Sequence, residues 1–321
     1  MNYNIGLIVL GEPNSTFLEV LFKYFKSSDF KKNKKKIILI GSAKLVKKQM
    51  KLLKYKFRIN EIKDIHEFKN KFINIINVNY KFKKAFTKIT SNSNDYIENC
   101  FNLAIRLIKK NNLNMLINGP VSKTHFLQQK YPGITEYIGF KTKTKNQVML
   151  IYNHKLSVCP LTTHVPIKNV AKKIKKKKII DIVNKIDCFY KSKLRKKPKI
   201  AILGLNPHCE TTDKISEEKI EIIPAINYLK KRKINIVGPY SADTFFLNKN
   251  IKKFDVVVGM YHDQVLTPIK TLFNFNAINV TIGLPFVKVT PDHGPNYEMI
   301  GKNKSDPSSI FYAFKFLNKI K

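Results

Sequence analysis

Residues 255–264 read DVVVGMYHDQ: an apolar run too short for a helix, then glycine, then a histidine beside an aspartate. A short β-branched run of this kind is a buried strand. A strand over Asp255–Met260 therefore delivers His262 just past its carboxyl end. Two other histidines repeat the arrangement: His164 follows SVCPLTT and His208 follows IAILGLNP.

Working outward, the same alternation runs through the chain. Strands are expected at Ile5–Leu10, Lys36–Ile40, Phe72–Val78, Met115–Ile117, Ser157–Leu161, Ile200–Leu205, Asn235–Val237, Asp255–Met260 and Ala277–Ile282, with amphipathic stretches between them. That pattern predicts an α/β fold, a parallel sheet covered by helices. The clearest helix is Asn94–Lys110, where Ile97, Cys100, Phe101, Ala104, Ile105 and Ile108 recur at three-to-four spacing and Asn94 or Asp95 can cap the start.

In open α/β sheets ligands bind outside the carboxyl ends of strands, because loops line a crevice there while the strands hold them rigid. Three imidazoles from equivalent loops suit a borderline divalent metal with coordination positions left open, as catalysis requires, and one divalent ion (Zn, Co, Mn or Mg) is expected as a cofactor. Asp243 and Asp263, beside these loops, are candidates for proton transfer or for supporting a ligand; capping a helix is the alternative for both. No GxGxxG occurs, so the usual dinucleotide fingerprint is missing.

Composition narrows the partners. The formal charge of +38 invites a nucleic-acid reading, yet only Arg58, Arg106, Arg195 and Arg232 are arginines. Arginine is the residue that forks phosphates and reads bases. Lysine runs such as Lys175–Lys178 read as solvated faces, so neither nucleic acid nor membrane is expected as a partner. The start, MNYNIGLIVLGEP, has neither the basic leader of a signal peptide nor the length of a membrane span. Cys100, Cys159, Cys188 and Cys209 form no CxxC pair and are expected as reduced, buried thiols, which suits a cytoplasmic location.

The loops also carry a resemblance. The stretches GEP (Gly11–Pro13), NGPVSK (Asn118–Lys123), GITE (Gly133–Glu136), TTHVPI (Thr162–Ile167), GLNPHCE (Gly204–Glu210), GPYSADTFF (Gly238–Phe246), MYHDQ (Met260–Gln264) and NVTIGLPFVKVTPDHG (Asn279–Gly294) resemble, in order, those of the 4-hydroxythreonine-4-phosphate dehydrogenase family. The resemblance implies an isopropylmalate-dehydrogenase-like fold of two α/β/α domains with an active-site cleft between them. The first domain would be residues 1–128 with 292–321, on the NAD side, and the second 129–291, on the metal and substrate side. It implies a homodimer with shared active sites, a phosphorylated small-molecule substrate, and NAD or NADP bound by a loop holding His293, Gly294 and Asn296; a plain turn would also use Gly294. It places metal ligands at His164, His208 and His262 and substrate contacts at Thr135, Lys270, Asn279 and Lys288. Where the family usually has histidine before the threonine and arginine at the last position, this chain has Ile134 and Lys288.

The activity so implied is oxidation of 4-phosphohydroxy-L-threonine with decarboxylation, in pyridoxal phosphate synthesis. Alternatives are a dehydrogenase of threonate or erythronate 4-phosphate or of a dihydrodiol. A metal-dependent hydrolase and a basic nucleic-acid-binding protein are the readings outside that class.

Overall fold

A computed structural model of the chain describes residues 4–128, 130–210, 215–274, 276–291 and 294–320, without the side chains of 248 and 249. In chain order its strands are β1 (Ile5–Val9), β2 (Lys36–Gly41), β3 (Ile59–Ile62) and β4 (Ile73–Asn77), then β5 (Met115–Asn118), β6 (Val148–Tyr152), β7 (Ser157–Pro160) and β8 (Ile200–Leu203). After these come β9 (Ile236–Tyr240), β10 (Val256–Gly259), β11 (Ile278–Ile282) and β12 (Val287–Pro291).

The chain divides into two units, one of residues 1–147 with 284–319 and the other of 148–283 with 320–321. The first boundary falls at 147/148 instead of 128/129. The cause is the helix Ile134–Lys141, whose Tyr137 and Ile138 pack into the same apolar cluster as Phe101, Leu127 and Ile97. The second falls at 283/284 instead of 291/292, because β12 pairs with β5.

In the first unit the strands run in the order β3-β4-β2-β1-β5-β12, every pairing parallel. The apolar runs of β1 and β2 are buried on both faces, as helical crossovers require of parallel sheets. The helix Asn94–Asn111 lays Ile97, Cys100, Phe101, Ala104 and Ile108 into the core, while Ile105 is half-buried. Its N-cap is Ser93, not Asn94 or Asp95: the Asn94 amide is turned to the carbonyl of His125, donating at 2.9 Å.

In the second unit the order is β11-β6-β7-β10-β8-β9. β6 is antiparallel to both its neighbours and the remaining pairings are parallel. Helices Lys176–Lys193 and His262–Phe273 bury Ile179, Val183, Ile186 and Val265, Ile269 respectively. Of the four cysteines only Cys100 and Cys159 are buried; Cys188 is exposed and Cys209 half-buried. Among the described residues no helix is long and apolar enough to cross a membrane.

Candidate functional site

The three histidine loops leave β7, β10 and β8, which are successive neighbours in one sheet and parallel. Strand order, which chain position alone does not reveal, thus puts His164, His262 and His208 on one carboxyl edge. His164 and His208 are exposed and His262 partly so. His164 has φ 53° and His208 φ 56°, in the left-handed region that costs a side-chain-bearing residue free energy. Such outliers persist where surrounding structure over-determines them.

Three polar side chains do so here. Thr162 donates its hydroxyl to the carbonyl of Met260 at 2.8 Å, tying the His164 loop to the His262 loop. Gln264 accepts from the Met260 amide at 2.7 Å and donates to the Gly204 carbonyl at 2.8 Å, tying the His262 loop to the His208 loop. Glu218, in a π-helical turn Glu218–Ile222, takes the amides of Leu205 and Asn206 at 2.7 and 2.9 Å and the Asn206 side-chain amide at 2.8 Å. Burial pushes the Glu218 carboxyl up, but the donors from Asn206 and Leu205 outweigh it and hold the carboxyl below its ordinary value. Sequence reading singled out none of the three. Thr162 and Gln264 stood only inside motifs, and Glu218 in SEEK reads like a helix start.

Asp263 lies with Oδ1 3.0 Å from His262 Nδ1, and Asp243 with Oδ2 3.8 Å from His208 Nδ1. Neither caps a helix: each sits within a first turn, after N-caps Ser241 and Tyr261. The Ser241 hydroxyl, donating at 2.6 Å, holds the Asp243 carboxyl below its ordinary value, with His208 adding to the effect. A carboxylate against Nδ1 fixes an imidazole so that Nε2 faces a ligand.

As a donor set these residues suit a divalent ion. The His164 and His262 ring centroids are 6.2 Å apart. Two rings sharing an ion tetrahedrally at bonds of about 2.0–2.1 Å have centroids roughly 5–5.5 Å apart, so these two rings stand somewhat wider than a bound ion would hold them. The third ligand is not gathered in, however: among the described residues no three His, Cys, Asp or Glu groups surround a point that could hold a metal.

Of the substrate candidates, Asn279 on β11 has a buried Oδ1 with no hydrogen-bond donor among the described residues. A buried acceptor left open costs about 1–3 kcal/mol, which a ligand's donor would recover. Lys270 is exposed, two turns beyond His262 on the same helix. In the other unit, Lys288 on β12 is 0% exposed and donates to the Thr135 hydroxyl at 3.3 Å. Burial pushes the Lys288 ammonium down to about 7, against the opposing pull of Glu136. Ile134, which opens the helix carrying Thr135, packs against the apolar cluster of that unit.

The first unit has an edge of its own where connections diverge on either side of β1. There GEP follows β1 and NGP follows β5. The Glu12 amide donates to the Pro120 carbonyl at 2.9 Å and the Gly119 amide to the Val9 carbonyl at 2.8 Å. Gly11 has φ +70°, and a Cβ on it would stand 2.5 Å from the Pro120 oxygen, so glycine is what lets the loops close. Glu12 accepts from the Asn14 amide and the Ser93 hydroxyl, both at 3.1 Å. Burial pushes its carboxyl up. The Thr16 amide donates to the Pro295 carbonyl at 3.2 Å, bringing the expected cofactor loop to this edge. Within it Asn296 has φ 55° and Gly294 has open space beside its Cα, while His293 lies outside the described residues.

Comparison with known proteins follows the same lines. The family model of "Pyridoxal phosphate biosynthetic protein PdxA" matches residues 33–317. The 4-hydroxythreonine-4-phosphate dehydrogenase of Sulfurihydrogenibium sp. (strain YO3AOP1) is 37% identical over 313 residues, 95% of each chain. The D-threonate 4-phosphate dehydrogenase of Salmonella typhimurium (strain LT2) is 27% identical over 316 residues, 96% of each. A crystal structure of a 4-hydroxythreonine-4-phosphate dehydrogenase from Burkholderia phymatum superposes with a TM-score of 0.84 at 25% identity, covering 99% of this chain and 98% of that one.

Proposed function

The chain belongs to the PdxA family of pyridoxal phosphate biosynthetic proteins, and from that premise we propose that it oxidises 4-phosphohydroxy-L-threonine with NAD and releases carbon dioxide, forming 3-amino-2-oxopropyl phosphate. The observation that carries this choice of substrate is the full-length identity of 37% with a dehydrogenase of that name, against 27% with a D-threonate 4-phosphate dehydrogenase.

A divalent ion, once bound, supplies Lewis acidity to the substrate hydroxyl, and NAD takes the hydride. The rest falls to the chain. His164, His208 and His262 are the proposed ligands, held by Thr162, Gln264 and Glu218. Asp263 orients the His262 imidazole, Asp243 stands beside His208, and both are carboxylates at hand to take the hydroxyl proton. Asn279 offers its open acceptor to a donor of the substrate. Lys270, Lys288 and Thr135 supply cations and a hydroxyl for its anionic groups. Oxidation at the hydroxyl carbon leaves a ketone β to the carboxylate, so the carbon–carboxylate bond breaks readily and its electron pair passes to the enolate. Gly294, Asn296 and His293 are the proposed cofactor contacts, and a homodimer in the cytoplasm the proposed working form.

The test is NAD reduction with 4-phosphohydroxythreonine, with and without added divalent metal, by the natural protein and by Ile134→His. Turnover that depends on metal and is comparable in both proteins is expected, because Ile134 is part of the apolar packing. An inactive natural protein whose histidine variant gains activity would overturn the substrate assignment. D-threonate 4-phosphate, run in parallel, identifies the second reading if it is the better substrate.

A further inference from the structure

A cavity in the first unit is lined by none of the carboxyl-edge loops. It lies between the end of the helix Ala43–Leu52 and the start of β3, measures about 490 Å³, and is walled by Met50, Lys51, Lys54, Tyr55, Lys56 and Phe57. Small-molecule sites run from roughly 300 to 1,000 Å³. The Tyr55 and Phe57 rings are half-buried and nearly parallel, with 12° between their planes and centroids 5.9 Å apart. Both rest on Phe22, which is 0% exposed, at centroid distances of 5.4 and 5.9 Å. Phe25 meets Phe57 edge-on, and the Tyr55 hydroxyl donates to Asn303 Oδ1 at 3.1 Å. The aromatic wall is therefore held in place by the core behind it.

Lys51, Lys54 and Lys56 are exposed, and among the described residues none of them pairs with a carboxylate. Lys47, Lys110 and Lys141 of the same unit do, with Glu61, Asp64 and Glu98. No acid lines the cavity. Glu19, whose charge acts on Tyr55, turns Oε1 to Lys23 at 3.0 Å and to the Ser305 amide at 2.6 Å. The lysine excess of the chain leaves unpaired ammonium groups over much of its surface; these three are set apart by bordering an aromatic cavity. An aromatic wall takes a flat ring by stacking, and unpaired ammonium groups take a phosphate as point charges. We propose that the cavity binds a planar heteroaromatic compound carrying a phosphate ester, its ring against Tyr55 and Phe57 and its phosphate among Lys51, Lys54 and Lys56. A nucleoside monophosphate and a phosphorylated pyridine share that chemistry.

Calorimetric titration of the natural protein with AMP and, separately, with pyridoxine 5′-phosphate, which has no aldehyde to condense with lysines, distinguishes the two sources. At least one should bind once per chain, and its unphosphorylated parent and inorganic phosphate should each bind about tenfold more weakly or worse. Tyr55→Leu, which keeps an apolar side chain but no ring, should weaken binding about tenfold. Lys51→Glu combined with Lys56→Glu alters only exposed positions, so the fold stands, and should weaken it to a similar degree. Lys230→Glu with Lys231→Glu, an equal change of charge at exposed positions of the second unit, should leave the Kd within about twofold. Affinity for NAD should be the same in the natural protein and in the cavity variants. Failure of both monophosphates to bind overturns the proposal, as does inorganic phosphate binding as well as they do. Equal loss from the second-unit pair would reduce the effect to overall charge, and a parallel loss of NAD affinity would make the cavity part of the cofactor site; either result sinks it. So does a single-stranded oligonucleotide that binds here when neither monophosphate does, since the surface would then be a nucleic-acid contact.

Discussion

Glu12 and Glu218 are both almost fully buried, at 2% and 1% exposure, and both stand at loops on the carboxyl edge of a sheet, one in each unit. Yet the first carboxyl is pushed up and the second held down. Depth and donor supply together make the difference, Glu12 being the more deeply enclosed carboxyl. Glu218 collects two backbone amides and the side-chain amide of Asn206, all between 2.7 and 2.9 Å. Glu12 has one backbone amide and one hydroxyl, each at 3.1 Å. Three short donors outweigh the lesser burial of Glu218; two longer ones do not outweigh the deeper burial of Glu12. The same sequence feature, a lone glutamate near a strand end, is thus a fixed anion in one unit and a group inclined to hold its proton in the other.

The contrast can be broken most forcefully at Glu218. Glu218→Gln loses the charge from its hydrogen bonds and turns an acceptor toward Asn206 into a donor. Bonds to charged groups contribute about 1.5–3 kcal/mol, so denaturant unfolding at neutral pH should show a loss of that order. Metal affinity should fall with it by roughly 10- to 100-fold, as for other residues that orient ligands, since the loop carries His208. The pH dependence has a definite sign. A carboxyl held low in the fold stabilises above its unfolded value, near about 4.3, and that contribution is lost as pH falls through the folded value. The gap between natural protein and variant should therefore close in acid; a gap that stays constant down to the acid transition would count against an ionised Glu218.

Glu12→Gln is the smaller and opposite change. A carboxyl pushed up stabilises below its unfolded value, and loses that contribution as pH rises through the folded value. Glutamine keeps an acceptor for the Asn14 amide and never ionises. Its stability relative to the natural protein should rise as pH climbs above the unfolded value, near about 4.3, by no more than about 1 kcal/mol. A variant that loses ground as pH rises would show that Glu12 is held as an anion after all.

Smaller still is Thr162→Val, which deletes a single neutral hydrogen bond to the Met260 carbonyl. About 1 kcal/mol of stability is expected to go. Its sharper readout is metal affinity: the left-handed backbone at His164 relies on this tie, so binding should weaken more than stability alone implies.

The two edges differ in legibility as well. In the second unit the proposed ligand side chains are exposed or partly so, and of their supports Thr162 and Glu218 are buried and Gln264 half-buried. The histidines announced themselves because each followed an apolar run, whereas Thr162, Gln264 and Glu218 did not, since a polar loop residue reads alike whether buried or solvated. Adjacency of β7, β10 and β8 is a property of strand order, which local pattern does not encode. In the first unit the charged groups are themselves buried, which hides them further. β12 was missed because Lys288 interrupts its apolar run and suggests an exposed residue. β3, reading INEI at the sheet edge, lacks a buried run, and β6, reading VMLIY, is too short to tell from a helix segment. The boundary at 147 depends on which core the helix Ile134–Lys141 joins, decided by Tyr137 and Ile138 finding Phe101, and the boundary at 283 on the pairing of β12 with β5.

The pairing of β12 with β5 bears on how the chain is made. β5 leaves the ribosome about 170 residues ahead of its partner, roughly 10–35 s at ordinary synthesis rates. Through that interval the stretch 148–283 of the second unit is already made, while the first waits with one side of β5 lacking its neighbour. An open apolar strand is a template for foreign strands. Nascent chains stalled before residue 287 should accordingly be held by chaperones or aggregate, and those released after β12 has emerged should not.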